Sequence, residues 1–299
     1  MYSKNRTYCV NDIYKLDSIP YSGRSCCVAV MDTGIYPHAD LSGHIKYFHD
    51  FVNHRSGAYD DNSHGTHVAG LIAGDGSACH RSIRGMAPSC DIVALKILDK
   101  KGNGEKSVLL KACDWLEHNY IRYKIRIVNI SIGSETADCS EEKNDVAIAI
   151  ESLWNAGLAI VVSAGNSGPG PGTITFPGTC EKVITVGSDT VFRTPVSINS
   201  DYISHSGEGP TKCNIPKPDI LAPGCNIISC HNKYNGYTVK SGTSMSTPVV
   251  SGAIALYLEK YPHSTNDIIK NRLKATALDL GLPKNRQGAG LLNLTSFLE

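Results

Sequence analysis

With 299 residues, 41% of them hydrophobic and 19% charged, the chain can bury a substantial core as one large α/β domain, which excludes a disordered or fibrous protein. A net charge of +1 supplies no field to recruit nucleic acid or an anionic membrane surface. The longest apolar runs are broken by glycine and polar residues and are too short to span a bilayer.

Residues 1–20 carry Lys4, Arg6, Asp12, Lys15 and Asp17 and lack the apolar core of a signal peptide. Eleven cysteines, an odd number, then read as reduced thiols of a cytoplasmic protein; a secreted origin would follow if the chain were an excised mature form. Cys26 and Cys27 read as small buried hydrophobes, and the absence of any Cys-x-x-Cys pair argues against zinc. Short apolar runs at residues 25–31, 91–98, 125–131, 158–164 and 183–187 read as strands buried on both faces. Between them Val108, Leu109, Ala112, Trp115 and Leu116 recur at helical spacing, and so do Val146, Ala149, Ile150, Leu153 and Trp154. Gly157 is placed to close the second helix in the left-handed region. The alternation predicts a three-layer α/β fold, with a central, mainly parallel sheet flanked by helices.

Residues 197–213, polar and glycine-bearing, read as a surface loop insertion, and residues 264–277 as a closing helix. Between them Ser241-Gly242-Thr243-Ser244-Met245-Ser246-Thr247-Pro248 leads into a run of small and apolar residues, 249–257, that suits a buried helix. Pro248 should mark its start, because proline is tolerated in a first turn. Ser244 then stands among free backbone N–H groups at the positive end of the helix, where it could be an N-cap or a nucleophile.

Two other stretches could serve a hydroxyl that must be made nucleophilic. Val28-Ala29-Val30-Met31-Asp32-Thr33-Gly34 is an apolar strand ending in an acid and a glycine turn. Asn62-Ser63-His64-Gly65-Thr66-His67-Val68-Ala69-Gly70 sets a histidine at the mouth of a helix. Asp32, His64 and Ser244 in that chain order, with Ser163-Ala164-Gly165-Asn166, resemble the motifs of the subtilisin-like serine proteases. The resemblance runs from about residue 22 to about residue 293. It divides the chain into an N-terminal extension, 1–21, and a peptidase domain, 22–299. It favours the family's intracellular members, whose inhibitory extension motif is similar to Ser18-Ile19-Pro20-Tyr21.

That resemblance implies Asp32, His64 and Ser244 as a catalytic triad and Asn166 as oxyanion donor, with no cofactor for the chemistry. A polypeptide substrate would lie as an added strand between Gly102-Asn103-Gly104 and Ser131-Ile132-Gly133, with Ala164-Gly165 walling the pocket before the scissile bond. Taken alone, these glycines read equally well as ordinary turns. Ser167 supplies no carboxylate beside Asn166, so a large apolar residue is expected before the scissile bond, and Lys106 stands where many members carry a pocket-closing aromatic. Structural calcium is a family habit, with Asp40 and Asp219 at matching positions. Residues 75–84, however, offer Cys79, His80, Arg81 and Arg84 in place of an Asn-rich ligand pattern. His67 and His64 make a His-x-x-His without the glutamate of zinc proteases, so His67 reads as a packed supporting residue and no catalytic metal is expected. The expected activity is a serine endopeptidase working through an acyl-enzyme. Its rivals are a protease dedicated to one precursor and a catalytically silent binding scaffold, the latter opposed by the intact Asp32, His64, Asn166 and Ser244.

Overall fold

The structure, a computed structural model, describes residues 7–134, 145–189 and 205–299. After a short helix, α1 (Val10–Tyr14), the chain enters β1 (Cys27–Asp32) and β2 (Ile45–Asp50), then α2 (His64–Ala73) and β3 (Asp91–Lys96). Next come α3 (Lys106–Asn119), β4 (Ile125–Ile130), α4 (Asp145–Asn155), β5 (Ala159–Ser163), β6 (Ile184–Asp189) and β7 (Ile220–Pro223). A hairpin of β8 (Ile227–Cys230) and β9 (Tyr237–Lys240) precedes the long α5 (Thr243–Lys260) and then α6 (Asn266–Ala275).

Seven strands form one sheet in the order β2-β3-β1-β4-β5-β6-β7, and every pairing in it is parallel. Every residue of β1, β5 and β6 is buried, as a sheet covered on both faces requires. α2 and α5 pack together as one layer, with α5 crossing β4 to β7, and α3 and α4 pair in the other. The predicted three-layer architecture is therefore present. Gly157 has φ +97°, in the left-handed region expected just past α4.

Two expectations need correction. α5 begins at Thr243, so Pro248 is its sixth residue and not its first. Two side-chain bonds hold the opening turn: from outside the helix Asn166 Oδ1 accepts the Thr243 N–H at 3.0 Å, and within it Thr247 Oγ1 donates to the Thr243 carbonyl at 2.8 Å. Tertiary contact thus extends the helix ahead of a residue that removes one of its own hydrogen bonds. Of the proposed surface loop, residues 197–204 lie outside the described residues; in the rest, His205, Pro210 and Lys212 are exposed, but part of the segment is tucked inward. Ser206, Glu208 and Thr211 are buried, because Gly207 N–H donates to the Gly165 carbonyl at 2.8 Å and Glu208 N–H to Thr173 Oγ1 at 2.9 Å.

Residues 7–21 pack on the domain. Val10 is fully buried, Tyr8 bridges to Ile227, and Arg84 pairs with Asp17 and donates to Asn11 Oδ1. At the junction a single oxygen of Glu259 accepts the backbone N–H groups of Ser22, Gly23 and Arg24 at 2.7, 2.7 and 3.1 Å. No described helix is long and apolar enough to cross a membrane.

Candidate active site

β1 lies between β3 and β4, where outgoing connections diverge and an open parallel sheet leaves a crevice at its carboxyl ends. Asp32, the last residue of β1, is fully buried there. His64, the first residue of α2, presents Nδ1 to both Asp32 oxygens, at 2.8 and 2.9 Å. This approach needs Gly65: a Cβ there would collide with the Gly34 carbonyl and press on Asp32. Burial disfavours a charged imidazole, but the Asp32 carboxylate outweighs it and holds His64 above its ordinary 6.5.

A residue that the sequence reading passed over organises this junction. Asp60 Oδ1 accepts from Thr33 Oγ1 (2.9 Å) and from the N–H groups of Asn62 (2.9 Å) and Ser63 (3.0 Å). Its Oδ2 accepts from the Thr66 N–H (2.9 Å) and hydroxyl (2.6 Å). These bonds hold Ser63 at φ +91°, a strained conformation for a non-glycine residue, and so aim His64 at Asp32. Burial alone would raise the Asp60 pKa; the donors from Thr66, Ser63 and Asn62 prevail and lower it. The signal available in the sequence was an acid followed by Asp61-Asn62-Ser63-His64, a run suited to side-chain-to-backbone turns.

Ser244 is the second residue of α5, where its backbone N–H has no helical acceptor. Its hydroxyl caps nothing; it donates to the Ser131 carbonyl at 3.0 Å. Asn166 is exposed, and its Oδ1 accepts from the Thr243 N–H and, at 3.2 Å, from the Thr243 hydroxyl. Because the Thr243 N–H can only donate, the amide orientation is fixed with Oδ1 toward α5, and the NH₂ is the end left as donor. His67 is buried, with Nε2 at 3.2 Å from both the Ile227 and Thr238 carbonyls. Burial, with Lys240 and His64 nearby, pushes its pKa down to about 3, so it is a neutral packed residue as expected.

The two expected substrate-flanking segments meet at a cavity of about 350 Å³, to which Gly102 and Gly104 contribute from one side and Ile132 and Gly133 from the other. Asn103 is exposed, its carbonyl accepting from the Asp99 N–H at 2.8 Å within the turn. Ser131 supplies the carbonyl that holds Ser244. Ala164 and Gly165 form a buried wall, their carbonyls taken by the N–H groups of Thr175 and Gly207. Gly133 and Gly165 both abut Thr175: a Cβ on either would overlap its hydroxyl. Lys106 is at the cavity rim, 3.1 Å from Asp145 of α4.

Neither expected calcium position suits calcium, which takes six to eight oxygen ligands. Asp219 is ringed by the ammonium groups of Lys217 (2.7 Å), Lys270 (3.4 Å) and Lys274 (3.9 Å). Asp40 accepts from the Ala78 N–H and the Tyr237 hydroxyl, both at 2.7 Å, and its other neighbours are an imidazole and a thiol, His38 and Cys230.

A buried acid, an imidazole locked to it and a serine at a helix start beside an amide donor define a serine hydrolase of the Asp–His–Ser type on a parallel α/β sheet. The particular family follows from comparison: the sequence model of the subtilase family matches residues 23–290, and the chain belongs to that family. It is similar to serine protease AprX of Bacillus subtilis (strain 168), 40% identical over an alignment of 290 positions that covers 91% of this chain and 66% of AprX. It is likewise similar to subtilisin Savinase of Lederbergia lenta, 36% identical over 91% of this chain and 90% of that protein. Among solved structures, sphericase superposes with a TM-score of 0.82 at 27% identity, over 96% of this chain and 97% of its own. A cold-adapted subtilisin-like serine proteinase superposes at 0.73 and 29% identity, over 92% and 89%.

Proposed function

We propose that the protein is a serine endopeptidase that hydrolyses polypeptides through an acyl-enzyme, preferring a large apolar residue before the scissile bond. The observation that carries this reading is the contact of His64 Nδ1 with Asp32 at 2.8 Å, which leaves Nε2 as the free basic nitrogen. In the proposed reaction the Ser244 hydroxyl gives up the Ser131 carbonyl and offers its proton to that nitrogen. Serine oxygen then attacks the scissile carbonyl, His64 takes the proton, and Asp32 stabilises the imidazolium. The developing oxyanion meets the Asn166 NH₂ and the Ser244 backbone N–H. His64 passes the proton to the leaving amine, and water repeats the sequence to release the acid.

The apolar preference is supported by walls of small residues without a carboxylate at Ser131, Gly133, Ala164, Gly165 and Ser167. The cavity lined by Leu98, Leu109, Ile132 and Phe176 suits a second apolar side chain further from the scissile bond. A division into an extension, 1–21, and a peptidase domain, 22–299, is supported by the Glu259 clamp on Ser22 to Arg24. A reducing compartment, the cytoplasm, is supported by Cys9, Cys26, Cys27, Cys79, Cys90, Cys113 and Cys230, which are thiols outside any disulfide.

Treatment with a fluorophosphonate followed by mass spectrometry tests the activity. One adduct on Ser244, absent from Ser244→Ala, is expected; folded protein that stays unlabelled and cuts no casein would overturn the reading in favour of a silent scaffold.

A further inference from the structure

Outside the catalytic machinery, the His38 imidazole, the Asp40 carboxylate and the Cys230 thiol converge, each buried, each with a ligand atom within 4.8 Å of the other two. We propose that these three residues bind a borderline-soft divalent cation of the zinc class. The site shares Asp40 with one of the two expected calcium positions but surrounds it with nitrogen and sulfur donors, and it stands whether or not the chain is a peptidase.

Spacing supports it. Tetrahedral zinc with nitrogen, oxygen and sulfur at their usual bond lengths sets its ligand atoms about 3.4 to 3.6 Å apart. Here His38 Nδ1 lies 3.7 Å from Asp40 Oδ1, and Cys230 Sγ lies 3.7 Å from Asp40 Oδ2. Small side-chain adjustments would therefore gather all three around one ion.

The ring orientation supports it too. His38 Nε2 is 3.1 Å from the Gly236 carbonyl, which must accept, so Nε2 carries the proton and Nδ1 keeps its lone pair on the Asp40 side. An imidazole that donates its remote N–H to a backbone carbonyl is the usual support for a metal-ligating histidine. In the metal-free state that lone pair accepts the Asp40 N–H at 3.1 Å, and the Cys230 thiol donates to Asp40 Oδ2. Metal entry exchanges both bonds for coordination and sends one thiol proton to solvent.

Charge closes the argument. A neutral imidazole, a carboxylate and a thiolate bring two negative charges, which a divalent ion cancels within a buried pocket where unpaired charge is costly. The donor set of one nitrogen, one sulfur and one carboxylate is that of zinc and not of calcium or magnesium. Cys79, near enough to Tyr237 and Cys230 to influence both electrostatically, is a further thiol in the neighbourhood. Bound metal would join the segment after β1 to the end of β8, elements 190 positions apart in the chain.

The test uses the full chain, stripped with chelator and titrated with Co²⁺ alone. Expected are one Co²⁺ per chain, a thiolate-to-cobalt charge-transfer band, the intense visible bands of four-coordinate cobalt, and displacement by equimolar Zn²⁺. Cys230→Ser should abolish the charge-transfer band, and both it and His38→Gln should weaken Zn²⁺ by more than the roughly 10- to 100-fold that loss of an outer hydrogen-bond partner costs. Cys90→Ser, a buried thiol elsewhere, should leave both unchanged. X-ray absorption of zinc-loaded wild-type protein needs no variant to fold: it should show sulfur at about 2.3 Å with nitrogen and oxygen near 2.0 to 2.1 Å. A zinc shell without sulfur, or a charge-transfer band that survives in Cys230→Ser, overturns the proposal.

Discussion

The Ser244 hydroxyl donates to the Ser131 carbonyl at 3.0 Å and makes no hydrogen bond to His64. The carbonyl belongs to one of the two segments expected to hold substrate. The resting hydroxyl is thus held by that segment, while Asp32 keeps the imidazole aligned. Hydroxyl rotation is small and fast beside chemistry, so this resting contact is compatible with the proposed role of Ser244 as nucleophile.

The pH dependence follows from His64. Only its neutral form can accept the serine proton, and Asp32 holds its pKa above the ordinary 6.5. kcat/KM should therefore rise with pH along a single-proton limb whose midpoint lies above 6.5. A rate unchanged from pH 5 to pH 9 would remove His64 as the base.

Replacing Asn166 isolates the oxyanion contribution. Asn166→Ala should lower kcat roughly 10²- to 10³-fold with little change in KM, because the lost N–H serves the developing oxyanion more than the bound substrate. Steady-state kinetics on a chromogenic peptide decide this, and a pure KM effect would assign Asn166 to ground-state binding.

Asp60 touches no reacting atom, so its effect should come through geometry. Asp60→Asn puts an NH₂ against donors that need an acceptor, releasing Ser63 from its strained conformation and turning His64 from Asp32. We expect kcat to fall roughly 10- to 100-fold, as misplacement of a catalytic group does, and stability to fall by about 1–3 kcal/mol. Asp60→Glu should not rescue either. Fluorophosphonate labelling rates and urea unfolding report the two effects separately.

Stability should fall on the acid side. As pH drops below 6.5, unfolded His67 takes up a proton that the folded site refuses until about pH 3, so the native state loses on the order of a few kcal/mol across that window. Asp60 and Asp219, both held below the ordinary 3.8, add their losses as pH falls through their lowered values. His64 acts in the opposite sense: its contribution is full below 6.5 and lost as pH rises through its raised value. Melting temperatures from pH 7 to pH 4 should therefore decline, and His67→Gln should flatten that slope.

Buried strands were legible because β1 and β5 carry continuous apolar runs and β4 is mostly apolar despite Arg126 and Asn129, whereas β2, with Lys46, His49 and Asp50, is an edge strand whose pattern carries no such signal. The four-residue strands β8 and β9 are too short to rise above the surrounding loop. Asp32, His64, Ser244 and Asn166 stood out as candidates through their flanking motifs, and their catalytic roles rest on the proposed function. Asp60, the inward-tucked part of 206–211 and the opening turn of α5 did not stand out, because each depends on partners supplied by distant parts of the chain. The His38, Asp40 and Cys230 set escaped for the same reason.

Thr175 gives the cleft a mechanical property. Gly133 and Gly165 lie on the separate segments that leave the paired strands β4 and β5, yet both rest against one hydroxyl-bearing side chain. That side chain works as a spacer of fixed gauge: shaving it would let both banks sag inward together, and thickening either bank would force the other apart. Engineering the bore for bulkier or slimmer peptides therefore starts at a position that no peptide need ever touch.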